Sequence, residues 1–173
     1  MAATEQVILV DENDNPTGTA EKLQAHREGL CHRAFSVFIF CNGLLLLQQR
    51  AKEKYHSPGL WTNTCCSHPR PGEEIVSAGQ RRLQEEMGLQ VALAAVGRFH
   101  YIAHFNNGLI ENEVDHVLIG TINQQIIIPN STEVAAYRWI SIAELQKELN
   151  DTPQIFTPWL KYALEIVEKR LSH

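Results

Sequence analysis

The chain has 173 residues, 15 Lys+Arg against 20 Asp+Glu, and 44% hydrophobic residues. That length suits one compact domain that buries its own core without a disulfide or metal staple, and the apolar content excludes wholesale disorder. A formal charge of -5 argues against a general nucleic-acid binder or a protein drawn to anionic membranes.

In chain order, Val7–Val10 reads as a short strand ended by the turn-rich segment Asp11–Pro16. Ala34–Phe40 and Leu44–Gln49 flank Asn42-Gly43, a strong hairpin signal. A loop with Arg50, Lys52 and Lys54 follows, then a short extended piece near Trp61–Thr64. Glu73–Met87 is predicted helical, with Val76, Gly79, Leu83 and Met87 on one apolar stripe and Gly88 as its stop. Arg98–Phe105 and Leu109–Thr121 read as a second hairpin across Asn106-Asn107-Gly108. Ala135–Ile140 is a further strand. Ser141 and Glu144 form an S-x-x-E capping box for a helix to about Leu149, and Thr157-Pro158 is read as N-cap and first residue of a last helix. Hairpins followed by helices predict an α+β fold with a mixed, largely antiparallel sheet.

No stretch approaches the roughly 18–20 apolar residues of a membrane-spanning helix. Met1–Gln6 lacks the features of a signal peptide. Cys31, Cys41, Cys65 and Cys66 match neither a disulfide framework nor a C-x-x-C zinc site, so reduced thiols in a cytoplasmic protein are expected.

On the predicted helix, with Leu83 at the centre of the buried stripe, Glu86 falls about 60° to one side beside Arg82. Arg81 and Glu85 share the far face, where a solvated i,i+4 pair is the ordinary reading. Glu111 and Glu113, two apart on a strand, point to one face and repel unless a cation or basic group lies between them; an isolated E-x-E is more often solvated. A three-residue loop with Gly108 left-handed would set Tyr101 opposite Glu113, whereas a two-residue loop would put it on the other face. Cys66 and His68 are alternate residues, so in extended backbone they share a side; free cysteines are also commonly small core residues. His26, His32, His68, Glu111 and Glu113 together would form a suitable octahedral set for a divalent ion, although spacing alone does not bring them together.

Glu73, Arg81, Leu83, Glu85-Glu86 and Gly88-Leu89 resemble the Nudix box, a loop–helix–loop that binds divalent metal beside a diphosphate. Ser67 replaces the first glycine of the box, and Arg82 replaces a metal-binding glutamate. A guanidinium there weakens hydrolysis by a metal cluster and leaves room for one metal on Glu86 with a phosphate beside Arg82. Further matches are Thr19–Lys22 leading to His26, His32–Ser36, Pro58–Pro69, Glu111–Val114 and Phe156–Trp159. With them the chain, from about Val7 to Trp159, resembles type I isopentenyl diphosphate isomerase, which has the Nudix superfold.

The resemblance implies a single catalytic domain over residues 1–173, with a Nudix-like core at about 30–150. It implies interconversion of isopentenyl and dimethylallyl diphosphate in isoprenoid biosynthesis, one proton added to an alkene and another removed from the opposite face. Cys66 looks like the catalytic thiol, and Glu113 with Tyr101 the second acid/base group. His26, His32, His68, Glu111 and Glu113 match a first metal site for Mn²⁺, Zn²⁺ or Mg²⁺, and Glu86 matches a ligand of Mg²⁺ that arrives with the diphosphate. Lys22, Arg50, Lys54 and Arg82 match diphosphate-binding residues, and Trp159 an indole over the hydrocarbon end. A small-molecule substrate, no membrane or nucleic acid, and a monomer are expected. The alternatives are a Nudix pyrophosphohydrolase acting on a nucleoside diphosphate derivative and a non-catalytic diphosphate-binding domain.

Overall fold

The computed structural model describes residues 4–124 and 126–173; the first three residues of Met1–Gln6, read above for a leader, lie outside them. The central element is β3 (His32–Cys41), aromatic and β-branched with nearly every residue buried. Along one edge it pairs in parallel with β8 (Ile110–Thr121), from His32↔Glu113 to Phe40↔Thr121. It also pairs antiparallel with β1 (Gln6–Val10), β6 (Cys65–Ser67) and β4 (Leu44–Arg50). The sheet is completed by β2 (Pro16–Glu21) on β1, β7 (Ala94–His104) on β8, and β5 (Trp61–Thr62) and β9 (Val134–Ile140) on β4. Among the named strands the β3–β8 pair is the parallel exception, and Trp61 of β5 adds an isolated parallel bridge to Phe156.

Strand alternation sends β3 side chains to two cores. Phe35, Val37 and Ile39 pack with Ala78, Leu83 and Met87 of α2 (Ile75–Met87). Phe38 and Phe40 pack with Leu145 of α3 (Ile142–Asp151) and with Leu160, Ala163, Leu164 and Val167 of α4 (Leu160–Leu171). The sheet therefore lies between α2 and the α3–α4 pair.

Several sequence expectations are met in the backbone. Gly88 ends α2 at φ 69°, and Ser141 with Glu144 forms the capping box of α3. Elements not anticipated include β2, β6, a 3-10 turn at Pro153–Ile155, and the short helix α1 (Lys22–Glu28), capped by Glu21, whose carboxylate accepts from Leu23 N and Gln24 N. One expectation is corrected. The last helix begins at Leu160, not at Pro158, and Thr157 is not its N-cap. Thr157 is drawn to β5 instead: its amide donates to Trp61 O and its hydroxyl to Thr62 Oγ1 at 2.8 Å. Among the described residues no helix is long and apolar enough to cross a membrane.

Candidate active site

A cleft with about 540 Å³ of open space is walled by residues from α1, β3, β6, α2, β8, the β4–β5 loop and the start of α4. His68, Glu111 and Glu113 on its wall meet His26 and His32 just behind it, one ligand atom of each of the five within 4.8 Å of the others. The topology brings them together. The parallel register sets His32 beside Glu113, the β3–β6 pairing delivers His68 just past Ser67, and α1 supplies His26. All five are buried, so the solvated reading of Glu111 and Glu113 does not apply.

The ring orientations can be read from their partners. His26 Nδ1–H donates to Lys22 O at 2.7 Å and His32 Nδ1–H to Leu30 O at 2.8 Å, leaving both Nε2 lone pairs facing the cluster. His26 Nε2 then faces Glu111 Oε1 at 2.7 Å, acceptor against acceptor, a contact satisfied by a cation or proton between them. His32 Nε2 is buried with no hydrogen-bond partner. Burial holds His32 down to about 4 and His68 well below the usual imidazole range, so both rest neutral, the form that binds metal. Burial and then the Glu111 charge hold Glu113 well above the usual carboxylate range. Three imidazoles around two buried carboxylates fit a divalent cation. This group can bind a metal.

The second hairpin has the three-residue loop that places Tyr101 opposite Glu113: Gly108 is left-handed at φ 84°, Phe105 N donates to Leu109 O, and Tyr101 pairs with Glu113. The phenol itself turns one residue aside. Its hydroxyl donates to Glu111 Oε2 at 3.1 Å rather than to Glu113, and Tyr101 stands behind the cleft wall rather than in it.

Alternation along β6 separates the adjacent cysteines. Cys65 is fully buried on the α2 side, where its thiol donates to Glu86 Oε2 at 3.1 Å. Cys66 lines the cleft. Its thiol donates to Asn63 Oδ1 at 3.1 Å, and Trp159 Nε1–H approaches the sulfur at 3.1 Å. Burial, followed by the neighbouring Asp115 carboxylate, pushes Cys66 up to about 12, so the sulfur rests as a thiol. Asn63 cannot turn its amide, because Nδ2 donates to Val37 O and Cys65 O.

Lys22, Arg50, Lys54 and Arg82 all line the same cleft. Each is already engaged: Lys22 with Glu5 at 2.9 Å, Lys54 with Glu133 at 2.6 Å, and Arg82 with Glu85 at 2.7 Å and Glu86 at 3.2 Å. Arg50 Nη2–H donates to His56 O at 3.1 Å, and its guanidinium stands 5.5 Å from the Trp159 ring centre. Buried Nε atoms of Arg50 and Arg82 have no hydrogen-bond partner, so both keep a donor for an anion. Glu86 is not part of the five-donor set; Arg82, Cys65 and Gln48 occupy its carboxylate. Arg81 pairs more closely with Glu73, at 2.8 Å, than with Glu85 at 3.5 Å.

Sequence reasoning missed Glu5, Tyr55, His56, Asp115 and Glu133, all on the cleft wall. Asp115 had a signal, since it follows Glu111 and Glu113 at strand period. Its Oδ2 accepts from Ser36 Oγ at 2.9 Å, and burial raises it from 3.8 to about 8. Glu5, Tyr55, His56 and Glu133 had none, because only the folded chain brings them here.

Residues 31–160 match the NUDIX domain family. Among solved structures, the chain superimposes on a Deinococcus radiodurans protein with a TM-score of 0.74 at 16% identity, covering 95% of this chain and 98% of that one. It also superimposes on a MutT NUDIX hydrolase from Burkholderia pseudomallei with a TM-score of 0.60 at 23% identity, covering 79% and 98%. These likenesses concern the fold. The chain is 51% identical to an isopentenyl-diphosphate Delta-isomerase of Photobacterium profundum, covering 99% of each. It is 50% identical to one of Burkholderia multivorans, covering 93% of this chain and 92% of the other. Half-identity over nearly the full length, on a NUDIX sheet whose cleft carries the thiol and the histidine–glutamate group, places this chain in the isopentenyl-diphosphate Delta-isomerase family.

Proposed function

We propose that the chain, as one catalytic domain, interconverts isopentenyl and dimethylallyl diphosphate in isoprenoid biosynthesis. The observation that carries the roles is that Cys66 and Glu113 line one cleft together with Lys22, Arg50, Lys54 and Arg82. Protonating an unactivated alkene makes a tertiary carbocation that water would capture, so the site must exclude water and stabilise the cation without attacking it. The Trp159 face does this by cation–π attraction, and its N–H holds the sulfur in place. Cys66 enters the cycle carrying its proton. Glu113, with Tyr101 acting through Glu111, is the exchanging group on the other side. Because the reaction is reversible, the two groups trade acid and base roles with direction. Lys22, Arg50, Lys54 and Arg82 bind the diphosphate; Lys22, Lys54 and Arg82 exchange carboxylate partners for phosphate oxygens, and Arg50 offers its free Nε–H.

His26, His32, His68, Glu111 and Glu113 would hold the first metal, and Glu86 a Mg²⁺ that arrives with the diphosphate as Arg82 turns toward phosphate. Bound there, a divalent ion such as Mn²⁺, Zn²⁺ or Mg²⁺ supplies charge that neutralises the paired carboxylates, and Mg²⁺ screens the diphosphate. Arg82 at a hydrolase metal-ligand position disfavours the pyrophosphohydrolase reading. Incubation with isopentenyl diphosphate in D₂O, followed by NMR, tests the activity. Deuterated dimethylallyl diphosphate is expected, and no isomerisation by folded, metal-loaded protein would overturn the proposal.

A further inference from the structure

His56 carries no signal in the sequence: it stands in the β4–β5 loop between Tyr55 and Ser57. Yet it is 4% exposed, and its Nε2 lies 3.1 Å from Glu111 Oε1. Its surroundings fix which nitrogen holds the proton. The ionised Glu111 carboxylate can only accept, so Nε2 carries the hydrogen, and Nδ1 is left to accept from the Ser57 hydroxyl at 3.4 Å. The ring is stacked on Phe105, centroids 4.9 Å apart and planes at 8°, and meets Trp159 edge-on at 5.7 Å. Its carbonyl accepts from Arg50, and Asn107 Nδ2 ties the neighbouring Tyr55 O to the β7–β8 turn at 2.8 Å. A loop side chain so restrained has one available direction.

The donors to Glu111 then sort by kind. His26 holds its Nδ1 proton on Lys22 O and turns Nε2 to Glu111 as one of the five candidate ligands. Outside the five-donor set, the groups that hold the carboxylate by hydrogen bonds are His56 on Oε1 and Tyr101 on Oε2, one on each oxygen. Each carboxylate oxygen has two lone pairs, so this arrangement fixes the orientation of Glu111 and leaves a lone pair free toward the three imidazoles.

We infer that His56 is a positioning residue of the metal site, orienting Glu111 through its Nε2–H; the inference rests on the five-donor metal reading proposed above. Partners of this kind contribute about 10–100-fold to metal affinity when they are removed from comparable sites. The same contact links the metal site to the segment that runs from Arg50 at the end of β4 through Lys54, by a residue belonging to neither set.

The test compares Mn²⁺ affinity by chelator competition in wild type, His56→Phe and His56→Gln. His56→Phe keeps the stack on Phe105 and removes the N–H, and its Mn²⁺ affinity is expected to fall about 10–100-fold. Its chelated form should melt at the same temperature as chelated wild type, a result that general structural damage would not give. His56→Gln, with an amide N–H, should recover most of the affinity. Ser57→Gly, which suits the backbone φ of 48° and frees the ring to change tautomer, should weaken Mn²⁺ binding several-fold even if His56→Phe does not fold. Unchanged affinity in His56→Phe, or in Ser57→Gly where the former is not soluble, overturns the inference. Wild type that binds neither Mn²⁺ nor Zn²⁺ overturns the metal reading itself, and this inference with it.

Discussion

Cys65 and Cys66 differ by one position and by the whole of their chemistry. On β6 the first faces α2 and hydrogen-bonds Glu86, while the second faces the cleft beside Trp159 and Asn63. Replacing Cys66 by Ala should lower turnover by at least about 10²–10⁴-fold while metal content stays at the wild-type level, because the sulfur is outside the five-donor set. Turnover close to wild type would remove the thiol from the mechanism. Asp115 gives a second residue-scale prediction. Its folded pKa is raised from 3.8 to about 8 by burial, so the folded state holds a proton that the unfolded chain has lost. Its stabilising contribution is complete below the unfolded value and is lost as pH rises through about 8. Between pH 6.5 and 8, wild type should therefore lose roughly 2 kcal/mol relative to Asp115→Asn, measured by urea unfolding across that range. A difference independent of pH would show that the carboxyl is already ionised in the fold. The E-x-E-x-D spacing put Asp115 on the face of Glu111 and Glu113; that the face is buried followed only from the β7 and β3 neighbours of β8.

Local elements were legible where their signals are local. Asn42-Gly43, the Gly108 loop, the α3 capping box and the Gly88 stop each involve a few consecutive residues, and each is formed by the chain. Gly88 also has a packing reason. A Cβ there would lie 2.8 Å from Ile128 O, and φ is 69°. Gly88→Ala should destabilise the protein by roughly 1–3 kcal/mol in denaturant melts, from backbone strain and the forced shift of residue 128. An unchanged midpoint would mean that the α2 terminus relaxes freely. Thr157 shows the opposite case. Its Thr-Pro pair has the local signature of a helix start, but hydrogen bonds to Trp61 and Thr62, nearly a hundred residues earlier, override it. Tyr101 is similar: loop length sets its register opposite Glu113, and side-chain packing then aims the hydroxyl at Glu111.

At the scale of the whole molecule, the net charge of -5 conceals a cleft lined by four cationic side chains, three of which, Lys22, Lys54 and Arg82, pair with Glu5, Glu85, Glu86 and Glu133. The histidine–glutamate group joins α1, β3, β6 and β8, so a cation held there cross-links four elements. Removing divalent metal by chelation should lower the melting temperature by about 5–10 °C relative to protein held at 100 times the dissociation constant, from about 2.7 kcal/mol of linkage in a chain of this size. Equal melting temperatures with and without metal would mean that the five donors bind none. By itself the sequence determined the α+β class, the main hairpins and helices, and the residue types of the site, because periodicity, turn chemistry and spacing act over short stretches. Only the tertiary structure decided that α1, β3, β6 and β8 converge, that Glu111 and Glu113 are buried, and that His56 and Asp115 join them. Those facts depend on the parallel β3–β8 register and on loop packing, and pairings across so much of the chain leave no mark in any one segment.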